Sequence, residues 1–253
     1  MCLILLAWKA HPDFPLVMAA NRDEFHARPT AAAAFWDDRP AILAGRDLRG
    51  MGTWLGVSRS GRFAAVTNYR DMVPAPGDAA SRGLLASRYL EGDESPASYV
   101  TKVGADGDAY GGFNFLAGDP DDLWWVSNRG GDARALAPGV YGLSNHLLDT
   151  PWPKVTLGKK RLQSVLELAP AVDPLLELLA DTTLAADDDL PDTGMGKERE
   201  RLLSAARIVS PAYGTRSSSA VVIGSNGRVR FAERAYGSDG AELDTARYEF
   251  DLS

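Results

Sequence analysis

The single cysteine of this sequence stands directly after the initiator methionine, as Cys2, and is the residue best placed to do chemistry. Methionine aminopeptidases remove Met1 when the second residue is small, which would leave Cys2 with a free α-amine. Such an amine has a pKa of about 7.7–8.0 and can act as a general base for the thiol beside it. One residue would then supply both nucleophile and base. The alternative is a small apolar residue packed inside a strand.

A dense polar cluster, Asn21-Arg22-Asp23-Glu24, follows an apolar run at residues 16–20. Asp23 is the candidate for orienting the Cys2 amine. Asn21 and Arg22 are candidates for substrate binding, and a guanidinium there could also favour the thiolate. The alternative is a solvated strand end.

Two later polar residues complete the set of candidates. Asn145 ends an apolar run, where its amide could stabilise the oxyanion of a tetrahedral intermediate. Arg216 precedes another run and could bind an anion or a thiolate. Taken alone, Asn145 would be an ordinary turn residue and Arg216 an ordinary surface arginine.

Apolar runs and turn residues predict the elements that must position these groups. Strands at residues 2–8 and 16–20 form a hairpin, which brings the polar cluster beside Cys2. The other predicted strands are 53–57, 63–67, 113–117, 123–127, 140–143, 218–223, 229–233 and 248–252. The predicted helices are 78–90 (capped by Ser81), 95–103, 155–168, 174–179 and 197–206. Strands and helices in separate blocks predict antiparallel sheets with helices packed outside.

Composition limits the function classes. The 253 residues are 45% hydrophobic and 24% charged, which predicts one ordinary globular domain over residues 1–253. A net charge of -7 argues against a nucleic-acid partner. One cysteine excludes an intrachain disulfide, and no metal-ligand pattern is present. With no targeting or transmembrane segment, the expected location is the cytoplasm. The oligomeric state is not predicted.

The sequence resembles the NRDE family, also called the transport and Golgi organisation family, over nearly its whole length. The first name refers to the Asn-Arg-Asp-Glu motif. The matching segments, in chain order, are Met1-Cys2, Ala20-Asn21-Arg22-Asp23-Glu24-Phe25, Gly50-Met51-Gly52-Thr53-Trp54-Leu55-Gly56, Val66-Thr67-Asn68-Tyr69-Arg70, Ser81-Arg82-Gly83, Phe113-Asn114, Leu143-Ser144-Asn145 and Tyr213-Gly214-Thr215-Arg216-Ser217.

This resemblance implies an α+β fold: a four-layer αββα sandwich of two antiparallel sheets with outer helices, as in N-terminal-nucleophile hydrolases. It is similar to the fold of acylases that act on penicillin V and bile-salt amides. Cys2, Asp23, Asn145 and Arg216 fall where the catalytic residues of those acylases are expected. Ala20 stands where they have an arginine.

Arg22 is the nearest substitute for that arginine. Neighbouring residues on a strand face opposite sides, so Arg22 is expected to face away from the cysteine if Asp23 faces it. Thiolate activation of the acylase kind is therefore not assumed.

Two functions remain open from the sequence. The first is an N-terminal-cysteine hydrolase of non-peptide amide bonds, acting on a small-molecule substrate and requiring no cofactor. The second is a non-catalytic protein on the same fold that binds or traffics haem or an acyl lipid, the ligands that the family suggests. Trp54, Trp124 and Trp125 could line a haem pocket, with His26, His146, a methionine or Cys2 itself as axial ligand.

Overall fold

The computed structural model describes residues 2–253. Its strands are β1 (Cys2–Trp8), β2 (Leu16–Phe25), β3 (Thr30–Trp36), β4 (Arg39–Asp47), β5 (Leu55–Ser58), β6 (Phe63–Asn68), β7 (Phe113–Gly118), β8 (Leu123–Ser127), β9 (Arg134–Ala135), β10 (Gly139–Leu143), β11 (Tyr213–Ile223), β12 (Arg228–Tyr236) and β13 (Glu242–Asp251). Its α-helices are α1 (Gly83–Glu91), α2 (Pro96–Ala105), α3 (Pro153–Glu167), α4 (Val172–Leu179) and α5 (Lys197–Leu202).

The chain divides into two compact units. The first comprises residues 1–27, 70–72 and 138–249, and the second comprises residues 28–69, 73–137 and 250–253. Within residues 2–253, the strands form a six-stranded sheet in the order β10-β1-β2-β11-β12-β13 and a seven-stranded sheet in the order β3-β4-β5-β6-β7-β8-β9. The prediction of one domain over residues 1–253 stays a prediction.

In the first unit, one face of the six-stranded sheet packs against α3 and α4. Side chains alternate along a strand, so Leu3 and Leu5 of β1 share this face with Val17 of β2. They are fully buried together with Leu162 of α3 and Leu175 of α4. This packing holds the start of β1, and therefore Cys2, on a rigid support.

In the second unit, α1 and α2 pack on the seven-stranded sheet. Tyr89 of α1 and Val100 of α2 form a buried cluster with Phe115 of β7. Two family motifs meet at the start of α1, because a Cβ atom added at Gly52 would lie 2.3 Å from the carbonyl carbon of Gly83. Gly52 therefore does not accept a side chain unless the backbone at Gly83 moves.

The predicted α+β class, with two antiparallel sheets and helices packed on them, is confirmed. Each unit supplies one sheet with helices packed on it. Among the described residues, no helix is both long and apolar enough to cross a membrane.

The β3–β4 hairpin was not predicted. β3 reads Thr-Ala-Ala-Ala-Ala-Phe-Trp, and alanine has low strand propensity. Its pairing with β4 is stabilised by side-chain contacts across the hairpin instead. Trp36 donates a hydrogen bond from Nε1 to the Ala44 carbonyl at 2.9 Å, and the Arg46 guanidinium lies 4.3 Å from the Trp36 ring centre.

The predicted start of the first helix at residue 78, with Ser81 as its cap, is wrong. The helix begins at Gly83, and Arg82 occupies the capping position without a side-chain capping bond. The segment before it is tied elsewhere: the Ala80 N–H donates to the Ala109 carbonyl, and Arg82 donates to the Gly112 carbonyl. These bonds hold the backbone in a non-helical path.

Candidate active site

Cys2 is the first residue of β1, which lies between β2 and β10 in the sheet. In the β1–β2 register, Cys2 pairs with Arg22 and Leu3 pairs with Asn21. The predicted hairpin and its placement of the polar cluster beside Cys2 are therefore confirmed. The cluster is not a strand end, however, because β2 continues through it to Phe25.

Arg22 is the residue that shares the face of Cys2, since paired residues of antiparallel strands point the same way. The case considered from the sequence, in which Asp23 faces the cysteine and Arg22 faces away, is therefore reversed: the Arg22 side chain faces Cys2 and the Asp23 side chain does not. Asp23 contacts Cys2 through its backbone, whose N–H donates a hydrogen bond to the thiol. The Asp23 side chain accepts a 2.6 Å hydrogen bond from Thr215 Oγ1 on β11.

Two opposed effects act on the Cys2 thiol. Burial raises its pKa, and the Asp23 carboxylate adds to the rise. The Asp23 backbone N–H and the Arg22 charge lower it. Burial is the largest of these effects, so the pKa of the thiol lies above its usual value. The thiol is therefore neutral at pH 7 and needs a base to become a nucleophile.

The Asp23 carboxyl is itself deeply buried, with 2% of its surface exposed. Burial raises its pKa, while Lys154, the Thr215 hydroxyl and Arg70 lower it. Tyr213 also donates from its hydroxyl to the Asp23 carbonyl at 3.0 Å. Asp23 is thus held on both its side chain and its backbone.

Asn145 approaches β1 from the opposite side to Arg22. β10 pairs Leu143 with Ile4 in antiparallel register, so the two following residues run toward the level of Cys2. Ser144 Oγ donates to the Cys2 carbonyl at 3.0 Å, and Asn145 is fully buried. The structure therefore brings Asn145 to the neighbourhood of Cys2.

The amide of Asn21 makes its hydrogen bonds within the fold. Its Nδ2 donates to the Leu179 carbonyl at 3.0 Å and to the Ala206 carbonyl at 2.7 Å. Its Oδ1 accepts from Ser218 Oγ at 2.5 Å. These three bonds join β2 to the end of α4, to the segment after α5 and to β11.

Arg216 lies at an irregularity of β11, where the register against β2 shifts between Thr215 and Ser217. Its Nη1 donates to the carbonyls of Phe25 and His26, at 3.1 and 3.2 Å. Burial lowers its pKa, and so does the nearby charge of Arg22. The structure therefore brings Arg216 to Arg22, and two cations lie at this edge of the site.

Three charged residues near Asp23 were not predicted. Arg70 and Glu200 form an ion pair at 2.5 Å in which each side chain is 3% exposed. The Arg70 guanidinium also lies 4.6 Å from the Trp152 ring centre. Lys154, at the start of α3, is the third. Arg70 lies in a recognisable motif, but nothing local in the sequence marks Lys154 or Glu200.

The candidates for haem binding lie in several elements of the described part of the chain. Trp124 and Trp125 are neighbours on β8 and face opposite sides of its sheet. His26 Nε2 lies 3.1 Å from the Ser210 carbonyl oxygen, and His146 Nδ1 lies 2.9 Å from Thr150 Oγ1. Within residues 2–253, no three His, Cys, Asp or Glu side chains are grouped as metal ligands.

Comparison with known proteins bears on the whole chain. The sequence model of the family described as "Transport and Golgi organisation 2" matches residues 1–238. The chain belongs to the Transport and Golgi organisation 2 family. It is 36% identical to the Transport and Golgi organization 2 homolog of Mus musculus, over 100% of this chain and 99% of that protein. It is 29% identical to the family member of Drosophila melanogaster, over 92% of this chain and 91% of that protein.

Two solved structures have a TM-score of 0.44 to this member of the Transport and Golgi organisation 2 family. One is the C2A mutant of a conjugated bile acid hydrolase from Clostridium perfringens, with 9% identity over 100% of this chain and 98% of that one. The other is a Caenorhabditis elegans ortholog of an N-acylethanolamine-hydrolyzing acid amidase, with 10% identity over 87% and 92%.

Proposed function

We propose that this protein is a hydrolase of non-peptide amide bonds that uses Cys2 as an N-terminal nucleophile. The observation that carries the proposal is the convergence on one end of β1: Arg22 is paired with Cys2, the Asp23 N–H donates to its thiol, and Ser144, next to Asn145, donates to its carbonyl.

The reaction follows from these groups. After removal of Met1, the Cys2 α-amine accepts the thiol proton while sulfur attacks the amide carbon. The Asn145 amide stabilises the resulting oxyanion. The carbon–nitrogen bond then breaks, the leaving amine takes the proton from the α-ammonium, and an acyl thioester remains on Cys2. Water, deprotonated by the α-amine, hydrolyses the thioester to a carboxylic acid and restores the thiol.

A base beside the sulfur is required by the electrostatics of the site. The thiol pKa is raised by burial, so Cys2 does not carry a standing thiolate at neutral pH. An α-amine on the same residue has a pKa close to neutrality and removes the proton during attack. Asp23, whose backbone already contacts the thiol, is the group that orients this amine.

Arg22 and Arg216 suggest an anionic group on the substrate. Burial, together with repulsion from Arg22, lowers the pKa of Arg216. An anion bound between two such cations relieves that repulsion. We therefore assign substrate binding to Arg22, with Arg216 beside it, while Asn21 holds the strand that carries Arg22.

The test compares proteins that differ only at the N-terminus. Protein expressed without a tag is incubated with a panel of acyl p-nitroanilides, and intact mass is followed together with p-nitroaniline release. We expect loss of Met1, an acyl adduct on Cys2 and turnover. Cys2→Ala is expected to abolish both adduct and turnover.

The matched control carries one extra glycine before Cys2, left by tag cleavage. It keeps the thiol but has no α-amine on the cysteine, so acylation is expected to fall to the rate of an ordinary buried thiol. Equal acylation of the two proteins would contradict the self-contained base. Turnover that survives Cys2→Ala would contradict the nucleophile. A protein that keeps Met1 and forms no adduct would favour the haem- or acyl-lipid-binding alternative, to be tested by titration with each ligand.

A further inference from the structure

Lys154 is a buried cation directly behind the candidate active site. It lies in the first turn of α3, and the residue is only 5% exposed. Among the described residues, its Nζ makes one hydrogen bond, to the Leu203 carbonyl at 2.9 Å. An ammonium group has three donors, so this bond accounts for only part of its capacity.

The position is unfavourable for a lysine in two ways. Removing an ammonium group from water is costly, and here it lowers the pKa of Lys154 to about 8. The first turn of a helix also carries the positive end of the helix dipole, which disfavours a cation. A buried lysine at a helix start therefore calls for compensation by a nearby anion.

Two small cavities meet at this side chain. One, of about 110 Å³, is mostly apolar and is lined by Lys154 together with Leu3 and Leu5 of β1. The other, of about 10 Å³, is lined by Lys154, Arg70 and Glu200. Lys154 thus lies on the helix-facing side of β1, directly beside the strand that begins with Cys2.

The charges that face Lys154 come from three directions. Asp23 and Cys2 lie on the sheet, Glu200 lies on α5, and Arg70 lies in the segment after β6. Glu200 is already paired with Arg70 and accepts hydrogen bonds from the backbone and hydroxyl of Thr193. Asp23 alternates with Arg22 along β2, so its side chain lies on the same helix-facing side of the sheet as Asn21 and Leu3. Asp23 is therefore the remaining carboxylate on the side of the sheet where Lys154 lies, and Lys154 can balance its charge.

We propose that Lys154 is a positioning residue whose ammonium group holds the Asp23 side chain in its carboxylate form beneath Cys2. The importance of this for catalysis rests on the proposed function, because Asp23 orients the Cys2 amine only as a carboxylate. A protonated Asp23 would be a neutral acid beside the nucleophile and would hold the amine more weakly.

The test uses the fact that Cys2 is the only cysteine in the chain. Protein labelled with ¹³Cβ-cysteine gives one cysteine resonance, and its shift is followed from pH 3 to pH 10 at an ionic strength of 0.1 M. An inflection in the acidic limb that disappears in Asp23→Asn belongs to Asp23.

In Lys154→Met the Asp23 inflection is expected to move upward by about one pH unit or more, because burial is then opposed by less positive charge. The matched control is Lys160→Met, an exposed lysine of the same helix, which is expected to leave the inflection in place. An unmoved inflection in Lys154→Met overturns the proposal. So does a wild-type titration that Asp23→Asn does not change.

If Lys154→Met does not fold, the combined variant Lys154→Met/Asp23→Asn decides. Removing one partner of a buried pair leaves an uncompensated charge, whereas removing both does not. The proposal expects the combined variant to fold and to resist urea better than Lys154→Met. A combined variant that is no more stable overturns it. Because no step reads turnover, failure to find an acyl-enzyme would defeat the hydrolase proposal and leave this result standing.

Discussion

The residues of the Asn-Arg-Asp-Glu segment have separate tasks because strand alternation sends them in different directions. Arg22 shares the face of Cys2, whereas Asn21 and Asp23 point to the opposite face, where they contact Ser218 and Thr215. Asp23 still reaches the thiol, through its backbone N–H. One short segment thus supplies a cation, an anion and an anchor.

The anchoring role of Asn21 predicts a large effect of an isosteric change. In Asn21→Asp, a carboxylate oxygen replaces the Nδ2 donor that lies 2.7 Å from the Ala206 carbonyl and 3.0 Å from the Leu179 carbonyl. The free energy of unfolding in urea is expected to fall by about 3 kcal/mol, because two carbonyls lose their donor.

Asn226→Asp is the control for this change. Asn226 is exposed, and its Oδ1 accepts from the Arg228 N–H, which an aspartate also permits. The free energy of unfolding of Asn226→Asp is expected to stay within about 0.5 kcal/mol of wild type. Equal losses in the two variants would show that the Asn21 bonds do not stabilise the fold.

Sequence reasoning identified the residues next to Cys2 along the chain but missed those that reach it through packing. Cys2 and Asp23 are visible because a short hairpin must bring them together. Lys154 and Glu200 come from distant segments, and each has an ordinary local context, whereas Thr215 lies in a recognisable motif without any local sign of its bond to Asp23. Their place beside or behind the site depends on how α3, α5 and β11 pack, which no local pattern encodes.

At the scale of elements, predictions succeeded where a pattern was strong and local. β1 and the β1–β2 hairpin follow from an apolar run, a turn and a second apolar run. The β3–β4 hairpin was missed because its alanines have little strand preference and its pairing depends on Trp36. The start of α1 was misplaced because hydrogen bonds to residues 109 and 112 override the local capping preference.

The contact between α3 and β1 makes a prediction that runs against helix propensity. Alanine normally stabilises a helix relative to glycine by about 1 kcal/mol. At Gly158, however, a Cβ atom would lie 2.7 Å from both Cδ atoms of Leu5, which is fully buried. Gly158→Ala is therefore expected to lower stability by about 1–3 kcal/mol in urea unfolding.

Leu5→Val provides the test of that cause. Shortening Leu5 makes room for the new methyl group, so the loss from Gly158→Ala is expected to be smaller in the Leu5→Val background than in wild type. If Gly158→Ala costs the same stability in the Leu5→Val background as in wild type, the contact with Leu5 is not the cause of the loss. A gain in stability from Gly158→Ala alone would show that α3 moves freely on the sheet.

For the whole molecule, Lys154 predicts a rise of stability with alkaline pH. Its pKa is about 8 in the folded protein and about 10.4 in an unfolded chain. Between these values the unfolded chain binds more protons, so the contribution of this group to the free energy of unfolding increases with pH. The measurement is urea unfolding from pH 7 to pH 10.5 for wild type and Lys154→Met.

Wild type is expected to gain stability relative to Lys154→Met across that interval, whatever the other groups contribute to both curves. Lys160→Met should follow wild type, since its side chain is exposed in either state. A difference that is flat, or that reverses in sign, would place the Lys154 pKa near its unfolded value.

The six-stranded sheet contains strands from both ends of the chain, and these strands are synthesised far apart in time. Asp23 can form its hydrogen bond with Thr215 only after 192 further residues have been synthesised, and Asn21 can bond Ser218 only after 197. At a synthesis rate of about 5–20 residues per second, β2 stays without β11 for roughly 10 to 40 seconds on the ribosome. During that interval the apolar β1–β2 hairpin presents an open edge, whose unpaired backbone N–H and C=O groups can pair with another strand. A ribosome that stops before Tyr213 therefore releases a chain with every residue of the Asn-Arg-Asp-Glu motif and no assembled site.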